Sequence, residues 1–227
     1  MRKVREAPPS PPTGLAWDGS PSRLPPGVYF LPVMSDRGRI LVVAATAREV
    51  HAPDGWRTLL CGVGPVEAAA RTAAAIAADR PDAILHVGIA GARGVAGLQP
   101  PSLVIGEGSC YCDLGVPAEW APRTVTPSPI LVAAARRVLP TAALRVIGTS
   151  ARVGGTSGCD PACDVEAMEG FAVLRAAQLA GIPALEVRAI SNSIEERDRS
   201  RWRFDDAFAA VVAATPRLVA EFAQCVR

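Results

Sequence analysis

From Arg39 onward, short apolar runs alternate with Ala-rich stretches, and nothing else in the 227-residue chain restricts its fold so strongly. The runs have the length of buried strands, and the Ala-rich stretches have the length and propensity of helices. Strands that alternate with helices build an α/β sheet with parallel components. The pattern predicts strands over 40–44, 57–62, 84–88, 103–111 and 144–149, with a later apolar run over 182–190 that closes at Arg188, Ser191 and Asn192. It predicts helices over 65–78, 129–138, 166–180 and 205–223, the first two opened by prolines whose missing N–H is harmless at a helix start.

A hydrophobic content of 49% is enough for one sizeable core, and no apolar run approaches the roughly 20 residues that span a bilayer. The formal net charge of +2 is spread along the chain, which argues against nucleic acid or an anionic membrane as partner and points to small molecules. Arg2, Lys3 and Arg5 are followed by a Pro-rich stretch rather than the apolar core of a secretory signal, so a cytoplasmic protein is expected. The chain divides into a Pro-rich extension over 1–38 and a catalytic domain over 39–227. The extension is either disordered or an arm draped through Trp17, Tyr29 and Phe30.

The six cysteines lack CxxC spacing and read as buried, inert thiols, with a local Cys159–Cys163 disulfide as the other conceivable reading. The glycine turns fit neither GxGxxG nor GK[ST], and neither HExxH nor Gly-x-Ser-x-Gly occurs, so no cofactor and no metal are expected. His86 lies inside an apolar run and reads as a satisfied core histidine.

Polar residues gather in three places: Thr46-Ala-Arg-Glu-Val after the first strand, Val165-Glu-Ala-Met-Glu-Gly-Phe at a helix start, and Arg188-Ala-Ile-Ser-Asn after a late strand. With the Gly62-Val-Gly-Pro turn and the Gly88-Ile-Ala-Gly loop, these segments resemble the nucleoside phosphorylase and nucleosidase superfamily. The resemblance runs from Ile40 to the carboxyl end. It implies a single three-layer α/β/α domain with a central mixed, twisted sheet, a small-molecule nucleoside substrate and a homo-oligomer. It also implies roles: Glu49, which taken alone reads as a solvated acid on a first helical turn, activates water; Met168 and Glu169 hold the ribose; Arg188 supports the carboxylates; Ile89 and Ser191 line the substrate site. Glu166 reads as solvated or capping.

Asn192 is the discriminating position, because nucleosidases for 6-aminopurines resemble this segment but carry aspartate there. An amide offers an NH2 donor and has no titratable proton, which suits a 6-oxo base such as hypoxanthine. Asn192, Phe171 and the following Ser193–Trp202 stretch resemble the branch that hydrolyses futalosine in menaquinone biosynthesis. That substrate carries a benzoate-type carboxylate on its 5′ side, for which Arg197, Arg199 or Arg201 is a candidate partner; alternatively 195–199 is a solvated charged loop. The alternatives are a methylthioadenosine/S-adenosylhomocysteine or aminodeoxyfutalosine nucleosidase, a phosphorylase that would bind phosphate near Arg93, and a silent nucleoside-binding protein.

Overall fold

The computed structural model describes residues 39–53, 56–117, 119–154 and 163–226. The extension over 1–38 lies outside them, as does Cys159. Among the described residues are eight strands: β1 (Ile40–Ala44), β2 (Arg57–Leu60), β3 (Ala83–Ala92), β4 (Leu103–Tyr111), β5 (Thr124–Val125), β6 (Ala143–Thr149), β7 (Val165–Ala167) and β8 (Ala184–Ser193). The helices are α1 (Pro65–Ala78), α2 (Pro129–Val138), α3 (Gly170–Leu179) and α4 (Phe204–Cys225). No helix is long and apolar enough to cross a membrane among the described residues.

Alternation along β1 makes the three layers. Ile40, Val42 and Ala44 share a core with Leu85, Val87, α2 and α4, whereas Leu41 and Val43 point the other way, into a core with α1 and α3. The sheet is mixed. β1 lies parallel to β2 and β3, and β3 is parallel to β8. β4 is antiparallel to β8 and β5 but parallel to β6, and β7 joins β6 in parallel and β3 antiparallel. The pairings β3–β8–β4–β6–β7–β3 close into a circuit, helped by register shifts at Ala90/Gly91 and Gly106/Gly108 that bend the strands.

The chain departs most from the pattern-based expectation at three places. β3 continues to Ala92 instead of ending at Gly88, because its distal half pairs with β7 and β8. The predicted helix over 166–180 is the strand β7 followed by α3; pairing of Val165–Ala167 on both sides overrides the helical propensity of Ala, Met and Glu. No helix follows β1: Glu49 sits in a turn closed by its own N–H on Thr46 O (3.2 Å), and β2 comes next.

Candidate active site

The register of β3 on β8 sets the centre of the site. His86 faces Glu186, and Gly88 faces Arg188. Glu186 and Arg188, two apart on one strand, share a face of the sheet. The side chains of His86, Glu186 and Arg188 are fully buried. A methyl group on Gly88 would collide with the Arg188 guanidinium and lie 2.8 Å from Glu49 Oε1, so only glycine leaves room opposite this arginine.

Arg188 is the hub. Its Nε donates to Glu186 Oε1 at 2.7 Å, and its Nη2 lies 3.5 Å from Glu169 Oε2 and donates to His86 Nε2. The His86 tautomer follows from its other nitrogen: Nδ1 lies 3.0 Å from the carbonyl of Val43 and carries the proton, leaving Nε2 as acceptor. Burial, reinforced by the Arg188 charge, holds the His86 pKa well below its ordinary value, so the ring is neutral. The core position expected for His86 holds; its contact with Arg188 is not visible in the sequence. Burial works to lower the Arg188 pKa, but Glu186, Glu169 and Glu49 outweigh it and the net shift is upward. Arg188 Nη1 has no acceptor among the described residues.

Glu49 is buried, with Oε2 accepting from the Thr46 N–H (2.8 Å) and hydroxyl (3.2 Å) and Oε1 from the Ile89 N–H (3.4 Å). Burial raises its pKa, with Arg188 and the backbone donors pulling the other way. Glu169 accepts from the Gly64 N–H at 3.1 Å, a donor aimed by the left-handed φ of 94° at Gly64. Glu169 is the N-cap residue of α3, but its side chain does not cap the helix; the Phe171 N–H is taken instead by Thr149 Oγ1 (2.7 Å). Gly170, the glycine of the Met-Glu-Gly segment, leaves space that the Glu186 carboxylate occupies.

Ser191 Oγ lies 2.7 Å from Asn192 Oδ1 and 3.2 Å from Ala90 O. Asn192 Nδ2 donates to Ser193 O at 2.8 Å. That contact fixes the amide orientation, since the flipped amide would set two oxygens against each other. The NH2 group keeps its second hydrogen for the cavity.

That cavity, of about 300 Å³, is walled by Glu49, Ile89, Met168, Glu169, Ser191 and Asn192, together with the half-buried aromatic rings of Trp202, Phe204 and Phe208. Six of the seven residues expected at the site therefore meet there. Arg188 is not a wall residue; it lies behind the carboxylates and bonds to them. Glu166 is neither solvated nor a cap: it is buried and paired with Arg93, which also donates to Cys163 O at 3.2 Å. Phe171 belongs to the core, stacked on Tyr111 with centroids 5.4 Å apart. Cys61 is a buried free thiol whose pKa burial pushes up to about 12, so it is inert at neutral pH. Among the described residues no cluster of His, Cys, Asp and Glu could hold a metal ion.

Residues 57–224 match the family model of the phosphorylase superfamily. A futalosine hydrolase of Streptomyces coelicolor is 41% identical over 190 residues, covering 73% of this chain and 79% of that relative. Among solved structures, the native futalosine hydrolase of Helicobacter pylori superposes with a TM-score of 0.70 at 17% identity, over 80% of this chain and 97% of that one. A 5′-methylthioadenosine/S-adenosylhomocysteine nucleosidase from Neisseria meningitidis, in complex with methylthio-immucillin-A, gives 0.67 at 25% identity, over 81% and 98%. The chain belongs to the phosphorylase superfamily and, within it, to the futalosine hydrolase family.

Proposed function

We propose that this protein is a futalosine hydrolase, using water to cleave the N-glycosidic bond and release hypoxanthine. The observation that carries the reading is the buried Glu49 carboxylate beside Gly88 and the unpartnered Nη1 of Arg188. A water seated there would accept from Nη1 and donate to Glu49, which takes its proton as the oxygen attacks the anomeric carbon. General-base catalysis of this kind contributes about 10²–10⁴-fold. The raised pKa of Glu49 makes it a better base than a solvated carboxylate.

Met168 packs on the sugar, and Glu169, held by the Gly64 N–H and Arg188, accepts from its hydroxyls. Arg188, locked in turn by Glu186 and His86, both donates to that water and orients Glu169. The free N–H of Asn192 donates to the 6-oxo side of the purine, a bond that strengthens as the base leaves with the bonding electrons; the departing anion then takes its proton from solvent water to become hypoxanthine. Ile89 and Ser191 complete the walls. The same reading assigns the enzyme to menaquinone biosynthesis, as a cytoplasmic homo-oligomer.

Phosphorolysis fits less well, because Arg93, the arginine expected to bind phosphate, is engaged by Glu166, and Arg188, which faces Gly88, is held by Glu186 and Glu169. The test is release of free base by purified protein without phosphate, with futalosine, its 6-amino analogue and methylthioadenosine offered separately. Hypoxanthine from futalosine well ahead of adenine from the others is the expected outcome. Comparable adenine release would favour the amino-nucleosidase reading, and turnover only with phosphate would favour a phosphorylase.

A further inference from the structure

Three buried carboxylates surround the buried guanidinium of Arg188, and they are placed differently. Glu49 and Glu169 line the cavity, whereas Glu186 does not and lies behind Arg188. Its Oε1 accepts from Arg188 Nε at 2.7 Å, and its Oε2 accepts from the Ser109 hydroxyl at 3.4 Å. Glycines keep this seat open: a methyl group on Gly170 would collide with the carboxylate, and one on Gly106 would lie 3.2 Å from the Glu186 carbonyl oxygen and 3.6 Å from its Cβ. A carboxylate is costly to bury, so a fold that clears room for one on a fully buried strand face must give it a charge to meet. That charge is Arg188, to which the neutral His86 ring offers an acceptor and no negative charge.

We infer that Glu186 is a positioning residue for the proposed hydrolysis: as the counter-charge of Arg188, it holds the guanidinium from behind and leaves Glu49 basic enough to take the proton of water. The groups facing this guanidinium are Glu186 on β8, His86 on β3, Glu169 ahead of α3 and Glu49 in the turn after β1. The Cys61 thiol after β2 lies in the same field and stays protonated. Without Glu186, the whole charge of Arg188 would fall on the two carboxylates that face the cavity. Arg188 already pulls the Glu49 pKa down against the upward effect of burial. An uncompensated guanidinium would pull it further, making Glu49 a weaker base and reducing the negative potential that favours a cationic ribosyl ring. This inference rests on the hydrolytic reading and adds the residue that keeps its base strong.

Glu186→Gln tests it, because the amide keeps the shape of the side chain and an oxygen to accept from Arg188 Nε, and removes only the charge. The Glu49 carboxyl is titrated by carbon-13 NMR without substrate, its resonance assigned by its absence from Glu49→Gln, and the acid limb of kcat/KM for futalosine is followed in parallel. Both should move down by about one pH unit in Glu186→Gln, the scale on which a neighbouring charge moves a buried carboxyl, while kcat falls by about three- to tenfold with KM little changed. Glu186→Asp, which keeps the charge, should hold both near their wild-type positions. A residue that only supported the fold would change Tm and leave the Glu49 titration in place. An unmoved Glu49 titration in Glu186→Gln, or an equal displacement in Glu186→Asp, would overturn the inference. Failure of the wild-type chain to release hypoxanthine from futalosine would instead overturn the reaction reading, while the NMR titration would still decide whether Glu186 is the counter-charge.

Discussion

In an Asn192→Asp variant, one proton at most must serve two acceptors. The wild-type amide satisfies Ser193 O with one N–H at 2.8 Å, keeps Oδ1 on Ser191 Oγ at 2.7 Å, and still has a second N–H for the purine. An ionised carboxylate in place of the amide would set an oxygen against Ser193 O with no hydrogen between them. That contact, with burial, raises the carboxyl pKa and favours the protonated form. Once protonated, the side chain donates either to Ser193 O or to the base. Losing a buried donor to a polar group costs about 1–3 kcal/mol, so the preference for a 6-oxo over a 6-amino purine should fall by about ten- to a hundredfold. The assay is kcat/KM for futalosine and for its 6-amino analogue, wild type against variant, with Tm measured alongside. A selectivity ratio unchanged in a variant of unchanged Tm would refute the assignment of Asn192 to the base.

Glu49→Gln should lower kcat by about 10²–10⁴-fold with little change in KM. Because burial raises the Glu49 pKa and the base works ionised, wild-type kcat/KM should fall as pH drops through a value above that of an ordinary glutamate, and that limb should vanish in the variant. Its persistence would assign the limb to another group. Glu186 also has its pKa raised by burial, so its contribution to stability is present below its unfolded pKa and is lost as pH rises through the folded one. The unfolding free energy of Glu186→Gln relative to wild type, from urea melts across that window, should therefore shift in the variant's favour as pH rises; a constant difference would contradict the shift. Gly88→Ala drives a methyl into the Arg188 guanidinium and against Glu49 Oε1, and should cost about 1–3 kcal/mol of stability and at least about tenfold in kcat. Full activity in that variant would remove the water from the place proposed for it.

Apolar periodicity was enough to place β1, β4, α1 and α2 to the residue: the two helices open at a proline, and the two strands are buried runs. It failed at β7, three residues long, where only neighbours distant in sequence hold Val165–Ala167 extended. The carboxylates and the amide of the site were legible as family motifs. Their support was not: nothing local shows that His86 reaches Arg188 on the neighbouring strand or that Glu166 meets Arg93. Glu186 did leave a signal, since Glu-Val-Arg inside an otherwise apolar strand puts opposite charges on one buried face, where they must pair. The aromatic rim had no such mark, because Trp202, Phe204 and Phe208 read equally well as the apolar side of a helix start.

The balance of buried charge at the site follows from what the reaction needs. With Glu49, Glu169 and Glu186 set against Arg188, the cluster is short of positive charge, which is consistent with burial holding the Glu49 and Glu186 pKa values up. In the proposed reaction the ribosyl ring gains positive charge as the glycosidic bond lengthens, and surplus negative potential stabilises that state more than the neutral substrate. Arg188 must therefore orient the carboxylates without cancelling them. A protonated His86 beside it would cancel them further. Burial and the guanidinium keep the ring neutral, so it serves Arg188 as a hydrogen-bond acceptor and adds no charge. Neutral His86 thus fixes the hub in place while preserving the electrostatic bias on which glycosidic cleavage depends.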